Sequence, residues 1–136
     1  DFQAGLGYSR FLTPRVTLDA SGVYTVRTRH NGFKVGDRFD TGLALALRLT
    51  DDANRFPQWS VFGELNGVWV GRDNSVDEGS NPNTGGATLF VTPGARLRFS
   101  PRVALTLAPS VPVVQDLNGD QDRTAFKVAS QLSVSF

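Results

Sequence analysis

Residues 39–50 read FDTGLALALRLT, and the alternation in this stretch decides the fold. Phe39, Thr41, Leu43, Leu45, Leu47 and Leu49 fall on one side of an extended chain, and Asp40, Gly42, Ala44, Ala46, Arg48 and Thr50 on the other. A helix would mix the two sets, whereas a strand separates them. Residues 123–136 do the same: Phe126, Val128, Ser130, Leu132, Val134 and Phe136 oppose Ala125, Lys127, Ala129, Gln131, Ser133 and Ser135. Working outward, the pattern predicts seven strands, at about 2–10, 16–28, 39–50, 59–72, 87–99, 103–116 and 123–136, and no helix. Short connections fall at 11–15, 51–58 and 100–102. Longer polar ones fall at 29–38 and 73–86, and an acidic one at 117–122. A weak repeat joins two of the short turns, FLTPRVTL at 11–18 and FSPRVAL at 99–105.

The 136 residues are one domain's worth of chain. The apolar fraction is 40%, below the ~45–50% usual for a soluble domain. No window approaches the ~18 apolar residues of a transmembrane helix. No basic head with an apolar core opens the chain, so any signal peptide is expected to be already removed. The absence of cysteine excludes a disulfide scaffold, a thiolate zinc site and thiol catalysis. With 14 basic and 13 acidic residues, the net charge of +1 gives no pull toward nucleic acid.

Alternation alone does not say whether the apolar side faces a core or a membrane. Four features point to a membrane. Aromatic residues sit at the ends of the apolar side: Trp59 and Trp69 are ten residues apart, as are Phe126 and Phe136. Ten strand residues span roughly 33 Å, or near 25 Å at a tilt of about 40°, the height of a lipid-facing band. Tyr8, Trp59, Phe99 and Phe136 would form a lower girdle, and Phe2, Tyr24, Phe39, Trp69 and Phe126 an upper one. Charge lies in mid-strand on the opposite side, at Asp19, Arg27, Asp40, Arg48, Glu64, Arg72, Arg96, Arg98 and Lys127, as a water-filled or salt-bridged lumen accommodates. Connections are short at one end and longer at the other. Strict alternation ends on Phe136, like the C-terminal strand read by the barrel assembly machinery of bacterial outer membranes. The expected fold is therefore all-β, an antiparallel up-and-down transmembrane β-barrel in a single domain, residues 1–136. The competing reading is a soluble β-sandwich or ligand-binding barrel.

Two features resist. Pro93, Pro109 and Pro112 fall inside predicted strands, where each deletes a ladder donor, so bulges or shifted strand ends are expected. Seven is also an odd number, whereas bacterial single-chain barrels have an even one. The chain is therefore expected to be part of a larger barrel, or to be completed by a partner.

Residues 59–73 (WSVFGELNGVWVGRD) and 85–119 (GGATLFVTPGARLRFSPRVALTLAPSVPVVQDLNG) resemble the C-terminal half of a bacterial outer-membrane family, the transporters grouped with the meta-pathway of phenol degradation. The resemblance covers roughly the last 80 residues and rests on hairpin wording. It implies an outer-membrane protein of a Gram-negative bacterium that passes small organic solutes. The chain departs from that family in being too short for such a barrel.

By parity the lumen side carries Arg27, Arg48, Arg72, Arg96, Arg98, Arg123 and Lys127 against Asp19, Asp40 and Glu64, an excess of four positive charges. Such a wall favours anions; a plugged, salt-bridged interior that conducts nothing is the alternative. DLNGDQD at 116–122 places Asp116, Asn118, Asp120 and Asp122 at alternate positions, like the start of a calcium loop, but Gln121 and Lys127 stand where that motif needs Gly and Glu. An acidic hairpin loop, with Asn118-Gly119 as its turn, is the plainer account. No other cofactor is expected. His30, the lone histidine, has no adjacent serine and no GxSxG accompanies it, so no enzyme is expected. Gly5-x-Gly7 lacks a third glycine and a helix, so it is no phosphate cradle. Phe62 and Phe90 point to the lumen side against the pattern. The expected function is a channel or transporter for small organic or anionic solutes in the bacterial outer membrane. The second reading is a non-conducting structural barrel or a subunit of a larger envelope complex. Expected partners are outer-membrane lipid, the barrel assembly machinery through Phe136, and further strands or subunits.

Overall fold

A computed structural model describes residues 1–52 and 54–135. Ten strands form, in the order β1 (Phe2–Phe11), β2 (Val16–Val26), β3 (Phe33–Lys34), β4 (Arg38–Arg48), β5 (Gln58–Val70), β6 (Asn74–Ser75), β7 (Gly79–Ser80), β8 (Gly86–Arg98), β9 (Val103–Leu117) and β10 (Lys127–Val134). The seven long strands make one sheet, β1-β2-β4-β5-β8-β9-β10, in which every neighbour is antiparallel. This is an all-β meander with no helix among the described residues. Because directions alternate, the edge strands β1 and β10 run the same way. They do not pair with each other, so the sheet is open rather than a closed barrel.

The seven long strands lie where the alternation predicts, with ends shifted by a few residues. Three corrections follow. Arg27 and Arg72 lie just beyond β2 and β5 rather than in mid-strand, and Arg123 lies before β10. Phe99 and Phe126 flank β8 and β10 instead of ending them. The longer connections contain strands of their own: β3, β6 and β7 form a second, three-stranded sheet. Two-residue strands are too short to register a period, which is why pattern reading passes over them.

The weak sequence repeat is a repeated turn. In Thr13-Pro14-Arg15-Val16 the Val16 amide donates to Thr13 Oγ1 at 3.0 Å and Leu12 N–H to the Val16 carbonyl at 2.8 Å. In Ser100-Pro101-Arg102-Val103 the Val103 amide donates to Ser100 Oγ at 3.2 Å and Phe99 N–H to the Val103 carbonyl at 3.0 Å. Hydroxyl capping and a φ-locked proline specify the same hairpin twice.

The prolines are accommodated as expected, by a bulge and a break. The β8–β9 register shifts between Leu89 and Phe90, leaving Val113 as the extra residue. The ladder then lapses between Val91↔Val111 and Ala95↔Leu107, and resumes in the same register. Pro93 and Pro109 fall opposite each other within that lapse.

No apolar core exists in the usual sense. Among the described residues only Phe90 and Ala104 are buried apolar side chains, and the buried polar ones are Gln58 and Thr92. The chain exposes 9349 Å², whereas a compact soluble chain of its mass exposes about 6,900 Å².

Candidate functional site

The two faces of the long sheet differ in chemistry and exposure. Along β4 the exposed positions are Phe39, Thr41, Leu43, Leu45 and Leu47, and the part-buried ones are Arg38, Asp40, Gly42, Ala44, Ala46 and Arg48. The apolar face is thus the open one and the polar face the more enclosed. Within the strands, the apolar face carries charge only near its limits, at Arg10 beside Leu18 and at Asp116 beside Ala87.

The predicted girdle residues that fall within the strands lie on this open face. Tyr24, Phe39 and Trp69 occupy one cross-strand row through β2, β4 and β5, and the Tyr24 and Phe39 rings are 6.3 Å apart. Trp59 and Trp69, at opposite ends of β5, are 49% and 47% exposed. Phe2, Tyr8, Phe99 and Phe126 are exposed as well. Phe136 lies outside the described residues.

The polar face is organised in rows. One row runs Ser9, Asp19, Ala44, Glu64 and Thr92, and on through Ser110 to Lys127, crossing all seven strands. A cavity of ≈ 290 Å³ opens over it, with Ser9, Asp19, Ser21 and Glu64 as its polar lining. Thr92, 4% exposed, bonds to Ser110 Oγ at 2.7 Å and accepts from Asn66 Nδ2 at 3.3 Å. This network beside the ladder lapse escaped sequence reading, because register is needed to bring 66, 92 and 110 together. Lys127, itself exposed, sits 4.2 Å over the buried ring of Phe90 in a cation–π contact. Phe62 covers Gly94 so closely that a Cβ there would fall 2.1 Å from its ring. Both phenylalanines therefore sit on the polar face, as parity indicates.

Charge on this face is redistributed relative to the parity count. Within the strands it carries Arg38, Arg48, Arg96, Arg98 and Lys127 against Asp19, Asp40 and Glu64, an excess of two. Arg38 is an addition: it holds Asp40 through two bonds, 2.7 Å from Nε and 2.6 Å from Nη2. Opposite charges two apart in RFD were the available signal, had β4 been started one residue earlier.

At the long-loop end the connections are knitted into a rim. Asp37 accepts from the Arg27 amide at 2.8 Å and from Lys34 Nζ at 3.1 Å, and these two donors, the amide first, hold its carboxyl below the usual carboxylate range. Gly36 N–H donates to Asp73 Oδ1, and Val76 N–H to the Gly32 carbonyl, joining the loop after β2 to the loop after β5. Asn118 and Gln121 donate to the Thr84 and Gly85 carbonyls, joining the third loop.

Of the four calcium candidates, Asp116 lies one residue before the end of β9 on the apolar face, Asn118 turns its amide to Thr84, and Asp120 and Asp122 follow in the loop. Among the described residues no group of three or more His, Cys, Asp or Glu side chains is placed to hold a metal ion. His30 bridges Phe33 through the backbone. No protein-family model, curated protein or solved structure matches the chain.

Proposed function

We propose that this chain is a wall of a bacterial outer-membrane β-barrel, with its apolar face against hydrocarbon and its polar face lining a passage for small solutes. One observation carries the reading. The large apolar side chains form a continuous exposed face with aromatics near both ends, while most of the strand charge occupies the opposite face, the more enclosed one in β4 and β5. In water such a face is an aggregation surface far above the few hundred Å² that monomers tolerate. In lipid it is the expected solvent-facing side. The resemblance of residues 59–73 and 85–119 to outer-membrane transporters points the same way.

The open edges complete the argument. An unpaired backbone group in hydrocarbon costs several kcal/mol, so β1 and β10 require pairing partners, from further strands or another subunit. A second reading, a non-conducting structural wall, is favoured by Lys127 packed on Phe90 and Phe62 on Gly94, which fill part of the polar face.

The test uses the two tryptophans. In vesicles of phosphatidylcholine brominated at shallow or deep acyl positions, the W59F and W69F variants each keep one reporter. Both reporters should be quenched more by shallow than by deep bromine. A chain that stays monodisperse in detergent-free buffer with unquenched tryptophans refutes the membrane reading. Planar-bilayer conductance then separates a channel from a structural wall.

A further inference from the structure

We infer that the short-turn end of the polar face is an anion-selecting collar, built by Arg48, Arg96 and Arg98, that acts on small carboxylates and phosphates. The inference rests on the barrel reading and gives that passage its specificity element. Arg48 (β4) and Arg96 (β8) flank Ser60 of β5 in one row, and Arg98 lies two residues further toward the turns, opposite Gln58. The rest of these rows holds Thr106, Gln131, Ala104 and Ser133, with no carboxylate. The face's other basic groups are already engaged, Arg38 by Asp40 and Lys127 by Phe90. The nearby turn charge Arg15 is paired with Asp51.

The acids of the same face are too distant to neutralise the collar. Glu64 lies four residues along β5 from Ser60, about 13 Å away at strand rise, beyond the ~8 Å screening length of physiological salt. Phe62, laid over Gly94, stands between them. Two guanidiniums are tethered outward rather than pooled. Arg48 Nη2 donates to the Pro14 carbonyl and Arg98 Nη2 to the Pro101 carbonyl, each at 3.3 Å. Arg48 Nε is buried with no hydrogen-bond partner. Three charges spread along an arc of wall make a field across a passage, the device by which arginine rings select anions.

Reversal potentials of the assembled barrel in a KCl gradient test this. The wild type should prefer chloride. R48Q/R96Q/R98Q should lower the anion-to-cation permeability ratio at least about twofold, and R48K/R96K/R98K should retain it. An unchanged ratio in the glutamine variant overturns the collar while leaving the channel intact. A measurement independent of conductance is titration with inorganic phosphate, followed by the arginine Nε–Hε resonances in detergent micelles. Saturable shifts at Arg48, Arg96 and Arg98 but not at Arg38 support the collar. Equal shifts at all four, or none, overturn it, and tryptophan quenching by brominated lipid reports separately on the membrane reading.

Discussion

Leu43 and Ala44 are consecutive residues at the middle of β4 and face opposite ways, so an arginine at each asks which face meets hydrocarbon. Leu43 lies on the apolar face, 47% exposed, in a row with Ala20, Leu65, Val91 and Val111. Leu43 is the central residue of β4, five positions from either end, Arg38 and Arg48. In a spanning strand this is the bilayer midplane, where arginine on the lipid face costs about 2–4 kcal/mol. At roughly 1.4 kcal/mol per tenfold, L43R should shift the folding equilibrium by about thirty- to several-hundredfold. Were the same face in water, replacing a half-exposed leucine would change stability by no more than ~0.5 kcal/mol. Ala44 sits between Asp19 and Glu64 in its row. There a guanidinium gains two carboxylate neighbours, so A44R should cost under about 0.5 kcal/mol. Urea titration from phosphatidylcholine vesicles, followed by tryptophan emission, measures both. Equal small costs at the two positions would refute the assignment of faces, and a larger cost at Ala44 would invert it.

Three further outcomes are expected. T92V removes the bonds to Ser110 and Asn66 and should cost about 1–3 kcal/mol; T92V/S110A should cost less than the sum of the single changes, read in the same urea assay. G94A places a methyl within the Phe62 ring and should cost about 1–3 kcal/mol in the wild type but much less in an F62A background, and a double-mutant cycle without coupling would show that Phe62 does not cover Gly94. The Asp37 carboxyl is held below its ordinary 3.8, so its contribution to the rim is complete above that value and lost as pH falls through the lower native one. Amide-exchange protection of Arg27 N–H and Gly71 N–H should therefore stay flat from neutral pH to about 4 and fall below it, and loss beginning near pH 6 would point to another group.

The long strands are legible because each carries the same period over eight or more residues, and a period of two survives any error in where the strand begins. FDTGLALALRLT needed no neighbour to be read. Parity also placed Phe62, Phe90 and Lys127 on the polar face. What parity could not supply was register. Arg38–Asp40 depended on one residue of strand end, the Asn66–Thr92–Ser110 network on three strands being aligned, and the β3-β6-β7 sheet on two loops meeting. Arg27 and Arg72 read as mid-strand because the alternation continues past the last ladder pair, where nothing local marks the end.

The β8–β9 lapse shows how a sheet can lose ladder bonds without leaving an orphan donor. A single proline in a central strand donates nothing, so the facing residue's carbonyl loses its donor. Here Pro93 falls opposite Pro109, so neither strand has an N–H to leave unpaired at that step. Only carbonyls go short, and an under-satisfied carbonyl is the less costly of the two. On the apolar face the two rings present hydrocarbon, both exposed. On the polar face the Thr92 and Ser110 hydroxyls bond across the same gap at 2.7 Å, and each strand keeps its ladder to its other neighbour, Gly63↔Pro93 and Pro109↔Val128. Placing either proline opposite an ordinary residue would leave one carbonyl short instead of two, because the ordinary N–H can donate to the proline carbonyl. P109A alone returns an N–H opposite the Pro93 carbonyl, so the amide of residue 109 should be protected from exchange, and a freely exchanging amide there would refute this account of the lapse.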